Sequence, residues 1–439
     1  MANNALQDHE VRIQELGSDG RLREVARKCD FRARIRNACV VGSFDIREDD
    51  DSDIAASLPV KMEDDNPSQS GFVSSAMGLR SPQFPPQLLM LVLECGDSVF
   101  LFLRRGSNGR LEFITSRFPS PRDQLVYPGF HLTIDSSSRY AVLACAVEFF
   151  VVYELETIEN LRQAYIRNEP LNPVKSYRPR SVQGVIHKID FLYPRPGDDN
   201  HIILLLIVVR AGKSRMVIYE WKTGDDLRLV FAEEKTGHRM PVENQMPVLL
   251  IPLTVKSAFI AISPGQVAVC TGGLYGPPNF ETVEMHNPPA TQNHHGRDEP
   301  LWTAWARPFR LSPYFKSRDC IYLAREDGVV IFIEADSESA LDRSTFMDTF
   351  DSNISTAFTC LFDQYTDVLL LGSDSGPGAI WKVARLPPCS PICRTDGIPG
   401  SCSTAVGVAR YIAKLVSDCR LCYHRRVLSL EPGGRRRRN

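Results

Sequence analysis

The chain has 439 residues, 43% of them hydrophobic and 24% charged, with a net charge of −2. Such proportions exclude a wholly disordered chain, and the near-neutral balance excludes a general attraction to nucleic acid, leaving only local patches. The longest apolar runs, Leu88–Leu93 and Ile202–Val209, fall far short of the roughly 20 residues that span a bilayer, and the N-terminus has no apolar signal core, so a soluble protein inside the cell is expected. The 12 cysteines fit a reducing compartment, and Cys95, Cys145, Cys270, Cys320 and Cys360 sit singly in or beside apolar runs as small buried hydrophobes.

Residues 1–36 form an N-terminal segment of mixed charge in which Val11–Leu16 could make a short helix. Cys39–Ile46 reads as a strand. Residues 47–87 are rich in Asp, Ser, Pro and Gln, and cannot bury enough apolar surface to offset the entropy of ordering; they read as a disordered insertion. From Leu88 onward, apolar runs alternate with turn residues. Asn108-Gly109 marks a hairpin, because both residues tolerate positive φ. Residues 131–155 read as strand, polar turn, strand and strand. Residues 185–231 read as four strands in series, with turns at Pro194–Asn200, Ala211–Ser214 and Thr223–Asp226.

Pro247–Cys270 offers three strands, and 272–300 follows as a long loop rich in Pro, Asn and Gly. Strands are expected next at Trp302–Ala306, Cys320–Ala324 and Val329–Glu334, with Glu326-Asp327-Gly328 as the turn between the last two. Ala357–Phe362, Val368–Leu371 and Ala379–Val383 close the series. The central apolar strands recur every 50 to 60 residues or so, the mark of a propeller. The expectation is therefore an all-β, seven-bladed-type β-propeller over 37–383, with about six blades visible. A seventh blade would combine Cys39–Ile46 with strands from the far end. Only Thr157–Arg167 and Ser337–Thr345 could supply helical crossovers, which argues against an α/β sheet. The remaining 384–439 reads as an unstructured tail rich in Cys and Arg.

Motifs for phosphate cradling, zinc proteolysis or a nucleophile elbow are absent. His294-His295 lies in a loop, and Asp198-Asp199 and Asp225-Asp226 sit in turns where Asp bonds its own backbone. The inner strands are expected to be apolar rather than lined with acids. Cys389, Cys393, Cys402, Cys419, Cys422 and His424 lack the paired knuckles of a zinc ribbon, so neither metal nor cofactor is expected. Arg435, Arg436, Arg437 and Arg438 could form a nuclear-import or phosphate patch.

The segments LLMLVLECGDSVFLFLRR, HLTIDSSSRYAVLACAVEFFVVYEL, HKIDFLYP with MVIYEWK, CIYLAREDGVVIFIE and TAFTCLFDQYTDVLLLGSDSGPGAIWKV occur in an order that resembles one family. Its members include the large subunit of the damaged-DNA-binding complex, its yeast relative named for methyl-methanesulfonate sensitivity, the polyadenylation factor A subunit and the spliceosomal factor 3b propeller subunit. The resemblance is to their N-terminal propeller and covers roughly 88–383. It implies a non-enzymatic interaction scaffold of the nucleus, with the cytoplasm left open as a second location. The work implied is DNA repair, ubiquitin-ligase adaptation or mRNA processing. Partners would be other proteins, held by loops on one propeller face such as Pro194–Asn200 and Tyr275–Pro300, with nucleic acid reached through a complex. Membranes and small-molecule substrates are not expected. The family's second and third propellers are lacking, so the resemblance also implies truncation, through a shortened gene model or a retained intron. The rival readings are a propeller hydrolase or lyase, direct nucleic-acid binding through the terminal arginines, and a non-functional truncated product.

Overall fold

The computed structural model describes residues 10–16, 22–42, 88–105, 110–120 and 129–384, with short gaps at 146, 196, 245, 273–275, 295, 297–298, 309–317, 337–340, 342, 364–365 and 376–377. It also describes the backbone of 408–415, 419–423 and 426–430. The expected insertion at 47–87, Asn108-Gly109 and Arg435–Arg438 lie outside the described residues.

The described strands form seven four-stranded antiparallel sheets, each an up-and-down meander. Blade 1 contains Ile35–Val41, Leu88–Leu93, Ser98–Arg105 and Leu111–Phe118, from the centre outward. Blade 2 contains His131–Ile134, Tyr140–Ala144, Phe149–Leu155 and Val174–Ser181. Blade 3 contains Val185–Leu192, His201–Arg210, Lys213–Lys222 and His238–Arg239. Blade 4 contains Leu249–Pro252, Phe259–Ser263, Gln266–Thr271 and Asn279–Thr282. Blade 5 contains Trp302–Ala306, Arg318–Arg325, Val329–Asp336 and Arg343–Thr349. Blade 6 contains Thr356–Asp363, Thr366–Gly372, Gly378–Ala384 and Val408–Leu415.

Blade 7 is shared by the two ends of the chain. From the centre outward it contains Cys419–Tyr423, Arg426–Leu430, Val11–Leu16 and Leu22–Lys28, with Arg426–Leu430 pairing with Val11–Leu16 where the two ends meet. This corrects three expectations. Val11–Leu16 is a strand rather than a helix, and it pairs through Arg12–Glu15 with Arg426–Ser429. The early strand around Cys39 opens blade 1 instead of completing the seventh blade. The stretch from 384 onward, expected to be unstructured, carries three strands. Val408–Leu415 pairs with Gly378–Ala384 of blade 6, whereas Arg426–Leu430 pairs with Val11–Leu16 about 400 residues away, a partnership that periodicity alone cannot assign.

Alternating side chains bind the blades together. In Leu88–Leu93, Leu88, Met90 and Val92 pack against Ala141, Leu143 and Val151 of blade 2. The intervening Leu89, Leu91 and Leu93 pack against Val11 and Ile13 of blade 7. Blade 3 repeats the device: Ile202, Leu204 and Leu206 face Tyr140, Val142 and Phe150, while Ile203, Leu205 and Ile207 face Leu250, Phe259 and Ala261. A strand buried on both faces must be apolar throughout, which is why these runs look continuous in the sequence.

Two further expectations change. Leu227–Val230, read as the fourth strand of blade 3, is one helical turn capped by Asp226, whose side chain accepts a hydrogen bond from the Arg228 amide. The outer strand is the two-residue His238–Arg239. The long loop over 272–300 contains the outer strand of blade 4. Thr157–Arg167 does form a helix, Ile158–Ile166, but it bridges the two outer strands of one blade and makes no crossover.

Candidate interaction surface

Every inner strand runs the same way through the ring. Starts meet starts: Asn37 Nδ2 donates to the carbonyl of Gly129, and His187 Nε2 lies 2.9 Å from the Pro247 carbonyl. Ends meet ends, where Arg307 reaches Tyr193 and Pro252. The face on which the inner strands begin is here called the upper face. It carries the turns between the second and third strands of each blade and the connections between blades.

This geometry divides the loops expected to act together. Pro194–Asn200 follows the inner strand of blade 3 and lies on the lower face; of the loop expected over Tyr275–Pro300, residues 276–278 enter the outer strand of blade 4 on that same face, whereas 283–300 joins blade 4 to blade 5 across the upper face.

The upper-face loop is fastened to blade 5. Arg325 and Asp327 flank the turn that ends in Gly328, and their side chains are 1% and 0% exposed. Arg325 Nε donates to Asp327 Oδ1 at 2.7 Å and Nη2 to Oδ2 at 2.9 Å. The remaining guanidinium donors reach Asn287 Oδ1, the Pro288 carbonyl and the Pro289 carbonyl at 2.7, 2.7 and 3.0 Å. Asp327 in turn accepts the Thr291 amide at 2.8 Å. Burial pushes the Asp327 carboxyl up, but the Arg325 guanidinium and the Thr291 amide outweigh it and hold the pKa below the ordinary carboxylate value. The tight turn needs Gly328: its φ is +97°, and a Cβ there would meet the Phe350 carbonyl oxygen at 2.1 Å. His294 Nδ1 lies 3.9 Å from Glu326 Oε1, and His295 lies outside the described residues.

The central channel is more polar than expected. The inner strand of blade 2 brings His131 and Thr133, and that of blade 3 brings His187, Lys188 and Asp190. Thr133 Oγ1 donates to Asp190 Oδ1 at 2.5 Å, and the Phe191 amide donates to the same oxygen at 2.9 Å. The apolar expectation fails because strand alternation sends Ile186, Ile189 and Phe191 into the interface with blade 2 and leaves their neighbours to the channel. Burial pushes the Asp190 carboxyl up to about 6. Burial, helped by Lys188, pushes the His131 imidazole down to about 4.

At the lower mouth, Arg307 follows the inner strand of blade 5. It donates to Asp319 Oδ1 at 2.9 Å, to the Tyr193 hydroxyl at 3.2 Å and to the Pro252 carbonyl. Its guanidinium carbon also lies 5.2 Å from the Tyr193 ring centroid and 5.1 Å from that of Trp305. One side chain therefore ties blades 3, 4 and 5.

Asp190→Asn keeps the oxygen that Thr133 and Phe191 bond, while removing the charge. Because the folded pKa lies above the unfolded one, the wild type gains stability as pH falls through about 6 toward about 4. The variant is therefore expected to be the more stable protein at pH 7.5. The gap between 3.8 and about 6 corresponds to at most about 3 kcal/mol, reduced by the solvent Asp190 still meets. Urea melts of both proteins from about pH 4 to pH 8 check this, since their difference cancels His131 and should vanish toward the acid end.

The other residues singled out in the sequence are structural or lie elsewhere. Asp225 Oδ2 accepts the Lys222 amide, as an acid in a turn should. Cys145, Cys270 and Cys320 are buried as expected, but Cys95 is exposed, because it sits in a turn rather than in the strand before it. Cys389, Cys393, Cys402 and His424 lie outside the described residues, and only the backbone of Cys419 and Cys422 is described. Among the described residues no group of three metal-ligating side chains occurs, and no helix is long and apolar enough to cross a membrane.

The clamp escaped the sequence reading because Glu326-Asp327-Gly328 looks like any hairpin turn. The available signal was Arg325, a charge directly after the apolar run Cys320–Ala324 and two residues before an acid.

Residues 5–404 match a model of the RSE1/DDB1/CPSF1 first β-propeller. No curated protein matches the chain.

Proposed function

The chain belongs to the family of the RSE1/DDB1/CPSF1 first β-propeller, and from that premise we propose that it is a nuclear protein-interaction scaffold with no catalytic activity of its own. The propeller domains of this family are scaffolds and adaptors. The match over 5–404 carries the reading. The clamp supports it, since Arg325 and Asp327 are used to hold a loop in a fixed shape on the upper face, and a preformed loop loses less entropy on binding. Asp190, His187 and Arg307 likewise serve to hold neighbouring blades together.

The finer reading is an adaptor in DNA repair, ubiquitin ligation or mRNA processing that meets nucleic acid through its partners. Arg435–Arg438 acts in it as an import signal. Affinity capture of the tagged full chain from nuclear extract, followed by mass spectrometry, tests it. Cullin-ligase components, polyadenylation factors or splicing factors would each select a branch. Recovery of no specific partner would overturn the scaffold reading. Replacing all four arginines with alanine should shift the tagged chain out of the nucleus, and unchanged nuclear staining would remove the import role.

A further inference from the structure

On the outer wall of the ring, a groove between blades 2 and 3 gathers cations that have no acid beside them. Arg178 and Arg180 stand on the outermost strand of blade 2, paired with Val152 and Phe150. Directly paired residues share a face of a sheet. Val152 and Phe150 belong to the core shared with blade 3, so both arginines project toward blade 3. From the facing side, Arg215 continues the alternation of Val217 and Tyr219, which pack on blade 2. Lys235 Nζ lies 5.3 Å from the Tyr219 ring centroid, and Arg180 is near enough to act on the same tyrosine.

Neutral groups hold these cations in place. Arg180 Nη2 donates to the Ala232 carbonyl at 3.2 Å, and Lys235 Nζ to the Ile218 carbonyl at 2.9 Å. Arg215 Nη1 donates to the Thr236 and Gly237 carbonyls at 3.2 and 3.3 Å. Arg178 is half-buried and its Nε is shut off from solvent, yet it has no hydrogen-bond or ion-pair partner among the described residues. The Nε of Arg180 is likewise buried without a partner. The bordering acids are engaged elsewhere or face water: Lys175 and Ser176 hold Glu154, Gln183 holds Glu234, and Glu233 is exposed. A half-buried guanidinium without a counter-charge destabilises the free protein, and an anion placed beside it gains from the reduced dielectric.

We propose that this groove binds an extended acidic segment of a partner protein, with Asp or Glu at alternate positions. The proposal rests on the scaffold reading and adds to it the partner's chemistry and its place on the ring. Alternate residues on a strand stand about 6.6 Å apart, so Arg178 and Arg180 match carboxylates two positions apart on an extended peptide. A guanidinium can grip each carboxylate with two donors. Pro179, between the arginines, removes a main-chain donor and leaves recognition to side chains rather than to strand addition. A nucleic-acid strand fits less well. Glu233 and Glu234 border the groove and repel a continuous phosphate backbone, whereas a peptide can set neutral residues against them.

The probe is a blocked Gly-Glu-Ala-Glu-Ala-Glu-Gly peptide, titrated into the full chain and followed by the anisotropy of a terminal dye. The control peptide carries Gln in place of each Glu. Saturable binding is expected at about 50 mM salt and should weaken as salt rises. The Gln peptide should bind at least about 10-fold more weakly. Arg178→Gln with Arg180→Gln should weaken the acidic peptide by about 10-fold. Arg162→Gln with Lys222→Gln, which alters exposed cations on the lower face, should change it by less than about 2-fold. Arg178→Met should lose affinity while its melting temperature holds or rises, because the free protein sheds an unpartnered charge.

Equal affinity for the two peptides overturns the proposal, and that arm uses the unaltered protein, so it does not depend on a variant folding. Equal loss in the two double variants also overturns it, as does no binding up to about 1 mM peptide. A lower melting temperature with unchanged affinity in Arg178→Met would make that arginine a packing residue and likewise overturn it. Displacement of the peptide by a single-stranded oligothymidine at a lower concentration than unlabelled peptide requires would assign the groove to nucleic acid instead. Partner capture by the full chain is read separately. If it succeeds while the peptide fails, the scaffold stands and the groove assignment falls.

Discussion

Asp327→Ala is expected to lower the unfolding free energy by roughly 3–5 kcal/mol, the usual cost of removing one member of a buried ion pair. Arg325 would stay buried beside Trp302, its guanidinium 5.4 Å from that ring centroid, without its acid. The Thr291 amide would lose its acceptor as well. A typical domain is stable by only about 5–15 kcal/mol, so the loss is large. Proteolysis should report a second effect, faster cutting within 283–300, because the loop loses the anchor that shapes it. Asp327→Asn separates charge from shape. The wild-type carboxyl titrates below its ordinary value of 3.8, so its contribution is complete above that pH and is lost as pH falls through the lower folded value. The difference between wild type and Asp327→Asn should accordingly shrink on acidification below about pH 4. Denaturant melts showing a loss under about 1 kcal/mol at neutral pH would mean the pair merely fills space.

Arg307→Ala is the second large effect, again roughly 3–5 kcal/mol. It leaves the fully buried side chain of Asp319 without this cation, and it removes the donors to Tyr193 and Pro252. Three blades lose a common tie, so unfolding should also become less cooperative. Arg307→Lys tests geometry. An ammonium keeps the charge, yet it cannot fork to Asp319 while reaching Tyr193 and Pro252, so an intermediate loss is expected. Asp190, which Arg307 helps keep ionised, should titrate still higher in the alanine variant. Urea melts at neutral pH, with the Asp190 carboxyl followed by NMR, check both points. Stability within about 1 kcal/mol of wild type would overturn the argument.

How much of this was legible depends on where each signal lies along the chain. Middle strands such as Ile202–Val209 announce themselves because both their faces are buried. Trp302–Ala306 and Val329–Glu334 were placed by the turn residues around them, and the structure puts strands at Trp302–Ala306 and Val329–Asp336. Outer strands were harder. His238–Arg239 has two residues, and Asn279–Thr282 is mostly exposed, so neither carries a hydrophobic pattern. The candidate surface was read in part. The loop over 275–300 was singled out from its composition, but its fastening to Arg325 joins residues 36 to 38 positions apart, which no local pattern records.

The sequence by itself determined the repeat: apolar runs at regular spacing, separated by turn residues, leave antiparallel meanders with two faces to bury, and stacking them radially buries both. It also carried the family, through the order of its strand blocks. Only the tertiary structure decided how the ring closes, because blade 7 joins Val11–Lys28 to Cys419–Leu430 across nearly the whole chain. It decided, too, which loops share a face and which charges are buried. Both follow from the direction of the inner strands and the packing of neighbouring blades, and these are relations between distant segments rather than properties of any one of them.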